Sequence, residues 1–569
     1  MALLLREHWA ALALALIAAA ITIAPHLMLW SEPGYRGIEM MTLDAENHYM
    51  ARIHEVYEGH PAITNTFLEN KDLPYATPPL GEIVIAGFGK FFGLDAARAA
   101  IASKPLSVFI ITLLIYALAF SLSRSRVAAL IAAAFPTLGY NLIALSLAPV
   151  LDLIGSSPSG GPFLIFSRLV NPSISDIFLF GALVLMYRNL FEREAARWWQ
   201  VILLGALIGG SLYMSPYVYS FLGALLLIAW VWFLAQRDGT HARAAFFVGI
   251  IALVCSAPFV LNYAALHAHP DYETFSRFIG LAESRHLVLG FLLPLMAMLV
   301  AFMWPRDFPK KGRMFLLFAC VAVFLALNQQ LITGVSLHTG HYHWYITKPL
   351  AGIIAGLFIG GCIVRFVPVY FKHSVVAFVL GILIYNSMGF LAPWYAETHR
   401  EAVETQAYGP LVEYLGTRDV QEIVWSDVPT ADFIPIYTAH SAPNSINLGS
   451  YPIPQSFLDN RFFLEYRLRG VAPKDFEGTI RSEAAHVSAR LWGLWLRETK
   501  GDETAIPEEE FSRIAADYAV FHKKSWSENF DALDITLVAA RTADRAPYDA
   551  IPALKETATV GDFVIYKRL

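Results

Sequence analysis

Apolar residues crowd this chain in long blocks as far as about residue 392 and then thin out. A helix that crosses a bilayer needs about 20 mostly apolar residues. Such stretches lie near 9–30, 99–122, 127–149, 172–188, 199–214, 217–235, 244–263, 286–304, 313–332, 347–364 and 373–392. The pattern therefore predicts a polytopic α-helical membrane protein with about eleven transmembrane helices. The stretches between Trp199 and Ala235 are short, and a turn is expected at Met214-Ser215-Pro216. From Pro79 to about Leu94 the pattern is amphipathic but interrupted, which suits an interfacial helix along the outer leaflet. The tail reads differently. A helix-like run at 401–416 is followed by strand-like runs at 422–427, 432–438, 517–522 and 563–567. Short strands alternating with helices predict a soluble α/β domain. The expected division is a membrane unit over 1–394, with an external loop at 31–98, and a soluble unit over 395–569.

Composition sharpens the compartment. Of 569 residues, 56% are hydrophobic and only 16% are charged. A soluble protein carries about 25% charged residues, so a plain cytosolic enzyme, a disordered chain and a nucleic-acid binder are excluded. The net charge of -5 implies no strongly charged polymer as partner. Cys255, Cys320 and Cys362 all fall in apolar stretches and the tail has no cysteine, so no disulfide framework is expected. Lys and Arg mark every second short loop: Arg6, Arg124/Arg126, Arg188/Arg193/Arg197, Arg237/Arg243, Arg306/Lys310/Lys311/Arg313 and Arg365/Lys372. The positive-inside rule makes these loops and the N-terminus cytoplasmic. Loop 31–98, the later external loops and the tail then face the periplasm or the exterior, as for a protein of a bacterial inner membrane.

Unusual polar residues collect on that external side. The long loop reads Thr42-Leu43-Asp44-Ala45-Glu46-Asn47-His48-Tyr49-Met50-Ala51-Arg52, leading into a helical pattern through Tyr49, Ile53 and Val56. Carboxylates are favoured at a helix start, so Asp44 suits an N-cap and Glu46 a first-turn acid. The same two acids, with His48 and Arg52 close by at a membrane face, also suit proton-transfer chemistry. In the second external segment Arg168 suits either bidentate phosphate binding or snorkelling to headgroups. Asp176, a turn inside the next apolar stretch, is expected in a functional or structural polar network. The third segment, 328–345, carries His338, His341, His343, Trp344 and Tyr345. Its spacing is not a specific metal pattern. Sugar stacking on Trp344/Tyr345, with a His donating to phosphate or hydroxyls, competes with interfacial aromatic anchoring.

An Asp-Ala-Glu motif in the first external loop, after one N-terminal span, resembles the GT-C superfamily of integral-membrane glycosyltransferases. The superfamily includes oligosaccharyltransferase catalytic subunits, protein mannosyltransferases and aminoarabinose transferases. The match extends through the Tyr/Arg-bearing helix, the Gly59-His60-Pro61 turn and the topology of residues 1–394. The resemblance implies inverting transfer of a hexosyl or pentosyl group from a polyprenyl-phosphate donor to a glycan, lipid or protein acceptor at the outer face. It maps Asp44 onto the general base and Glu46 onto a helper or metal ligand, with Mg²⁺ or Mn²⁺ as the implied cation. The tail is expected to bind acceptor or cover the site. A transporter or flippase of lipid-linked glycans, or a non-catalytic subunit with the same fold, remains the alternative.

Overall fold

The computed structural model describes residues 2–41, 46–69, 71, 73–155 and 164–569. Among these, seven helical segments are long and apolar enough to cross a membrane: Arg6–Trp30, Ala96–Ser123, Pro216–Ala235, Gly239–His267, Lys310–Thr333, Thr339–Phe366 and Val369–Gly416. Three shorter apolar helices, Arg126–Leu138, Trp198–Ser211 and Leu292–Met303, accompany them. Seven long and three shorter apolar helices stand beside the expectation of about eleven spans, and apolar length overstates helix length where the chain is interrupted. The stretch 127–149 leaves its helix at Leu138, two residues after Pro136, where the amide of Gly139 closes onto the Phe135 carbonyl. The stretch 172–188 begins as the helix Ser175–Met186 and widens into a π-turn over Tyr187–Glu192. The turn before Pro216 falls where it was expected, between Ser211 and Pro216.

Small residues let the membrane helices approach closely. A Cβ on Gly356 would lie 2.5 Å from the Ala132 Cα, and one on Gly360 would lie 2.4 Å from the Ala128 Cα. The helix Lys348–Phe366 therefore packs backbone-to-backbone against Arg126–Leu138. Packing of this kind holds helices together in lipid, where apolar burial alone supplies little.

Three elements frame the loop 31–98. Helix α1 (Ala2–Trp30) leads into it, α2 (Glu46–Tyr57) begins directly after the Asp-Ala pair in sequence, and α3 (Leu80–Phe92) follows. Gly93 ends α3 in the left-handed conformation, and Phe91 and Phe92 stand exposed beside it. Helix α4 (Ala96–Ser123) starts at an Asp95 N-cap and carries the chain back.

The tail builds a mixed sheet. Its four strands run in the order Val424–Trp425, Leu537–Arg541, Phe563–Arg568 and Leu554–Val560. The first pair is parallel and the others antiparallel, with Val538 opposite Tyr566. Two expected strands are helices instead. Residues 517–522 lie within Glu508–Lys523, where three acids in the first turn favour the helix and Phe511, Ile514, Tyr518 and Phe521 form its buried face. Residues 432–437 lie within Val428–Tyr437, which Pro429 opens. The helix Val369–Glu404 runs unbroken past residue 394.

The tail is fastened to the external loops. The Leu494 amide donates to the Phe278 carbonyl at 2.9 Å. Gly493, at φ +57°, permits this approach, since a Cβ there would meet that carbonyl oxygen at 2.2 Å.

Candidate functional site

The first turns of α2 distribute its polar residues in different directions. Asp44 lies outside the described residues. The Glu46 carboxylate meets the Lys104 ammonium of α4 at 2.7 Å, and both side chains are buried. His48 is packed among Phe67, Tyr451 and Tyr49. Burial foremost, and then the positive charges of Arg52 and Arg168, push its imidazole down to about 3. His48 is therefore neutral at any ordinary pH, and its buried Nδ1 has no partner among the described residues. Arg52 faces elsewhere, pairing with Glu82 of α3 at 2.5 Å and donating to the carbonyls of Thr77 and Pro78. This guanidinium fastens α2 to α3.

Arg168 occupies the centre of an aromatic cage. Its guanidinium lies 5.5 Å from the Tyr49 ring and 5.9 Å from the Tyr345 ring. Nη1 donates to the Asn171 carbonyl at 2.6 Å and to the Tyr345 hydroxyl at 2.8 Å. A cation held over aromatic faces keeps its charge in a fixed place at low desolvation cost. Tyr345 sits in a π-turn spanning His343–Thr347, a helical irregularity often found at functional sites.

The third external segment joins the same cluster. The His341 ring stacks on Tyr345 at 5.1 Å and on His338 at 4.7 Å, and meets the edge of Tyr217 at 4.8 Å. Trp344 lies 6.2 Å from His341 and is exposed. Nδ1 of both His338 and His341 is buried without a partner among the described residues. His338 Nε2 lies 3.3 Å from Arg497 of the tail. His343 is exposed and stands apart from this stack. Asp176 is fully buried at the start of its helix, where Oδ1 lies 3.5 Å from the Ser175 hydroxyl and Oδ2 finds no partner among the described residues.

Of the residues singled out in the sequence, Tyr49, Arg168, His338, His341, Trp344 and Tyr345 thus come together, with His48 beside them. Sequence reasoning missed Lys104, Tyr217 and the tail residues that reach in. Lys104 did carry a signal, being an ionisable residue inside an apolar stretch. From the tail, Tyr451 touches His48 and bonds the Thr66 hydroxyl at 2.6 Å, and Asp432 accepts from Asn47 Nδ2 at 3.0 Å. Nothing local in the sequence announces either contact.

A divalent cation was implied for Asp44 and Glu46. Among the described residues no group of three or more His, Cys, Asp or Glu is arranged to hold a metal ion. Glu46 is engaged by the Lys104 ammonium, and Asp44, the other implied ligand, lies outside the described residues.

No protein-family model and no curated relative matches the chain. Among solved structures it is similar to ArnT from Cupriavidus metallidurans bound to undecaprenyl phosphate, with a TM-score of 0.48 and 13% identity, covering 97% of this chain and 98% of that one. It is also similar to the oligosaccharyltransferase AglB from Archaeoglobus fulgidus in complex with an inhibitory peptide and a dolichol-phosphate, with a TM-score of 0.47 and 11% identity, covering 95% of this chain and 70% of that one. A further Archaeoglobus fulgidus oligosaccharyltransferase structure, tethered with an acceptor peptide, gives a TM-score of 0.49 and 12% identity over the same shares.

Proposed function

We propose that this chain is an integral-membrane glycosyltransferase that moves a sugar from a polyprenyl-phosphate donor to an acceptor at the outer membrane face. The observation that supports it most is the caged Arg168, held between Tyr49 and Tyr345 beside two stacked histidines. A fixed cation next to buried, unpartnered imidazole nitrogens suits an anionic headgroup that carries further oxygens.

In this reading an acceptor hydroxyl attacks the anomeric carbon from the face opposite the lipid phosphate. The new C–O bond forms as the bond to the phosphate oxygen breaks, and the phosphate leaves with the electron pair. Asp44 takes the hydroxyl proton, and Arg168 stabilises the negative charge that grows on the leaving phosphate. The anomeric carbon passes through an oxocarbenium-like state and its configuration inverts. Glu46, fixed by Lys104, anchors the start of α2 and so sets the place of the acidic motif. Tyr345, backed by the stacked His341 ring, holds Arg168 in place, and exposed Trp344 offers a face on which a sugar ring can stack. The N-terminus is cytoplasmic, and the tail and the site lie outside.

Native mass spectrometry of the full chain in lipid nanodiscs, with added undecaprenyl phosphate, tests the headgroup assignment. Arg168→Ala is expected to weaken binding by at least about tenfold, as loss of a charge-assisted contact does. Unchanged binding by a folded variant overturns it.

A further inference from the structure

A cavity of about 400 Å³ is lined in part by Asn47 at the start of α2. Met41 and Asn47, which flank the acidic motif in sequence, form one wall. Glu401, from the extended helix Val369–Glu404, and Tyr408 form another, and Asp432 and Phe433 of the tail close it. The volume lies within the usual range for small-molecule pockets, about 300–1,000 Å³.

The charge of this cavity is the reverse of the cluster around Arg168. No Lys, Arg or His is among the described residues that line it, whereas three carboxyl groups are, the third being Glu39. Two of these are already engaged. Glu39 accepts from the Trp30 indole at 2.8 Å and the Tyr35 hydroxyl at 2.7 Å. Asp432 accepts from the Ser445 hydroxyl at 2.6 Å and from Asn47. Glu401 has no hydrogen-bonding or ionic side-chain partner among the described residues, so its carboxylate is available to a ligand. Tyr408 and Phe433 stack on each other at 4.5 Å, and with Met41 they give the cavity an apolar face. An apolar aromatic wall beside acceptor oxygens is suited to a saccharide, whose C–H faces pack on rings while its hydroxyls donate. An anionic ligand would meet carboxyl groups, Glu401 foremost, with no cation among the described lining residues.

We infer that this cavity is the acceptor site, and that it takes a hydroxyl-rich saccharide that is neutral or amine-bearing and rejects one that carries a carboxylate or phosphate. The inference rests on the glycosyltransferase reading, since Met41 and Asn47 of the cavity wall flank the acidic motif in sequence. Asn47 and Tyr49 of α2, two residues apart, contribute to the two regions. Carbohydrate donor and acceptor are thereby separated by charge as well as by position.

The test uses the full chain in nanodiscs and saturation-transfer NMR with three probes: methyl glucoside, glucosamine and glucuronate. The first two are expected to bind, with glucuronate at least about tenfold weaker, a difference of one unfavourable charge contact. Ile446→Trp, at an exposed rim position, fills the cavity and abolishes binding of the first two. Glu401→Arg, also exposed, shifts preference toward glucuronate. Equal or preferred binding of glucuronate by the unsubstituted chain overturns the inference. So does saccharide binding that Ile446→Trp leaves unchanged, or the absence of binding by all three probes. Undecaprenyl phosphate binding, measured on the same samples, separates the two claims. If it persists and depends on Arg168 while the saccharide result fails, only the acceptor assignment falls.

Discussion

Arg168 donates to the hydroxyl of Tyr345 at 2.8 Å across 177 residues of sequence. The bond joins the second external segment to the third, and the same guanidinium rests against Tyr49 of the first. Three loops separated by membrane helices are thus tied at one cation. Tyr345→Phe removes a single hydrogen bond worth about 0.5–1.5 kcal/mol. A fall in transfer of about two- to tenfold is expected, through a higher donor KM. Arg168→Lys keeps the charge but loses the planar fork, and is expected to recover little of the activity that Arg168→Ala loses. Steady-state transfer assays on the three variants check this ordering.

The Glu46–Lys104 pair is buried on both sides. Removing one partner of a buried ion pair costs about 3–5 kcal/mol. Lys104→Met is therefore expected to lower thermal stability strongly. Adding Glu46→Gln to it restores part of that stability, because the buried carboxylate charge is removed with its partner. A double-mutant cycle read by thermal unfolding in detergent distinguishes this from simple loss of packing, for which the second substitution brings no recovery.

His48 makes stability depend on pH in a defined direction. Its folded pKa is lowered to about 3, against about 6.5 for an unperturbed imidazole. The unfolded chain therefore binds an extra proton between those values, so this contribution is complete above pH 6.5 and is lost as pH falls toward 3. The slope is up to about 1.4 kcal/mol per pH unit in that window. Between pH 7.5 and 5.0 the unsubstituted protein is expected to lose more thermal stability than His48→Gln. Equal losses by the two contradict a buried neutral imidazole.

The architecture was legible wherever hydrophobic pattern alone decides it. Long apolar blocks became membrane helices, and Phe563–Lys567 lies in the final strand. Pattern misled where two periods compete. Tyr518, Val520 and His522 alternate like a strand, but Phe511, Ile514 and Tyr518 bury on one face of a helix whose acidic first turn favours it. At the site, Arg168, His341 and Tyr345 were legible because polar residues stand out beside apolar blocks. Their convergence was not, since it depends on how helices distant in sequence pack. Asp432 reaching Asn47 is a contact over 385 residues, and no local pattern encodes it.

The central claim is that Asp44 takes the proton of an acceptor hydroxyl in sugar transfer from a lipid-phosphate donor. Its most direct test compares Asp44→Asn with the unsubstituted protein, using radiolabelled lipid-linked sugar extracted from the native host membrane and scoring label transferred to acceptor. Undecaprenyl phosphate affinity and unfolding temperature are measured on the same preparations. The account predicts a loss of transfer of at least about 10²-fold with affinity and stability unchanged. Transfer at the normal rate by the folded variant would contradict it.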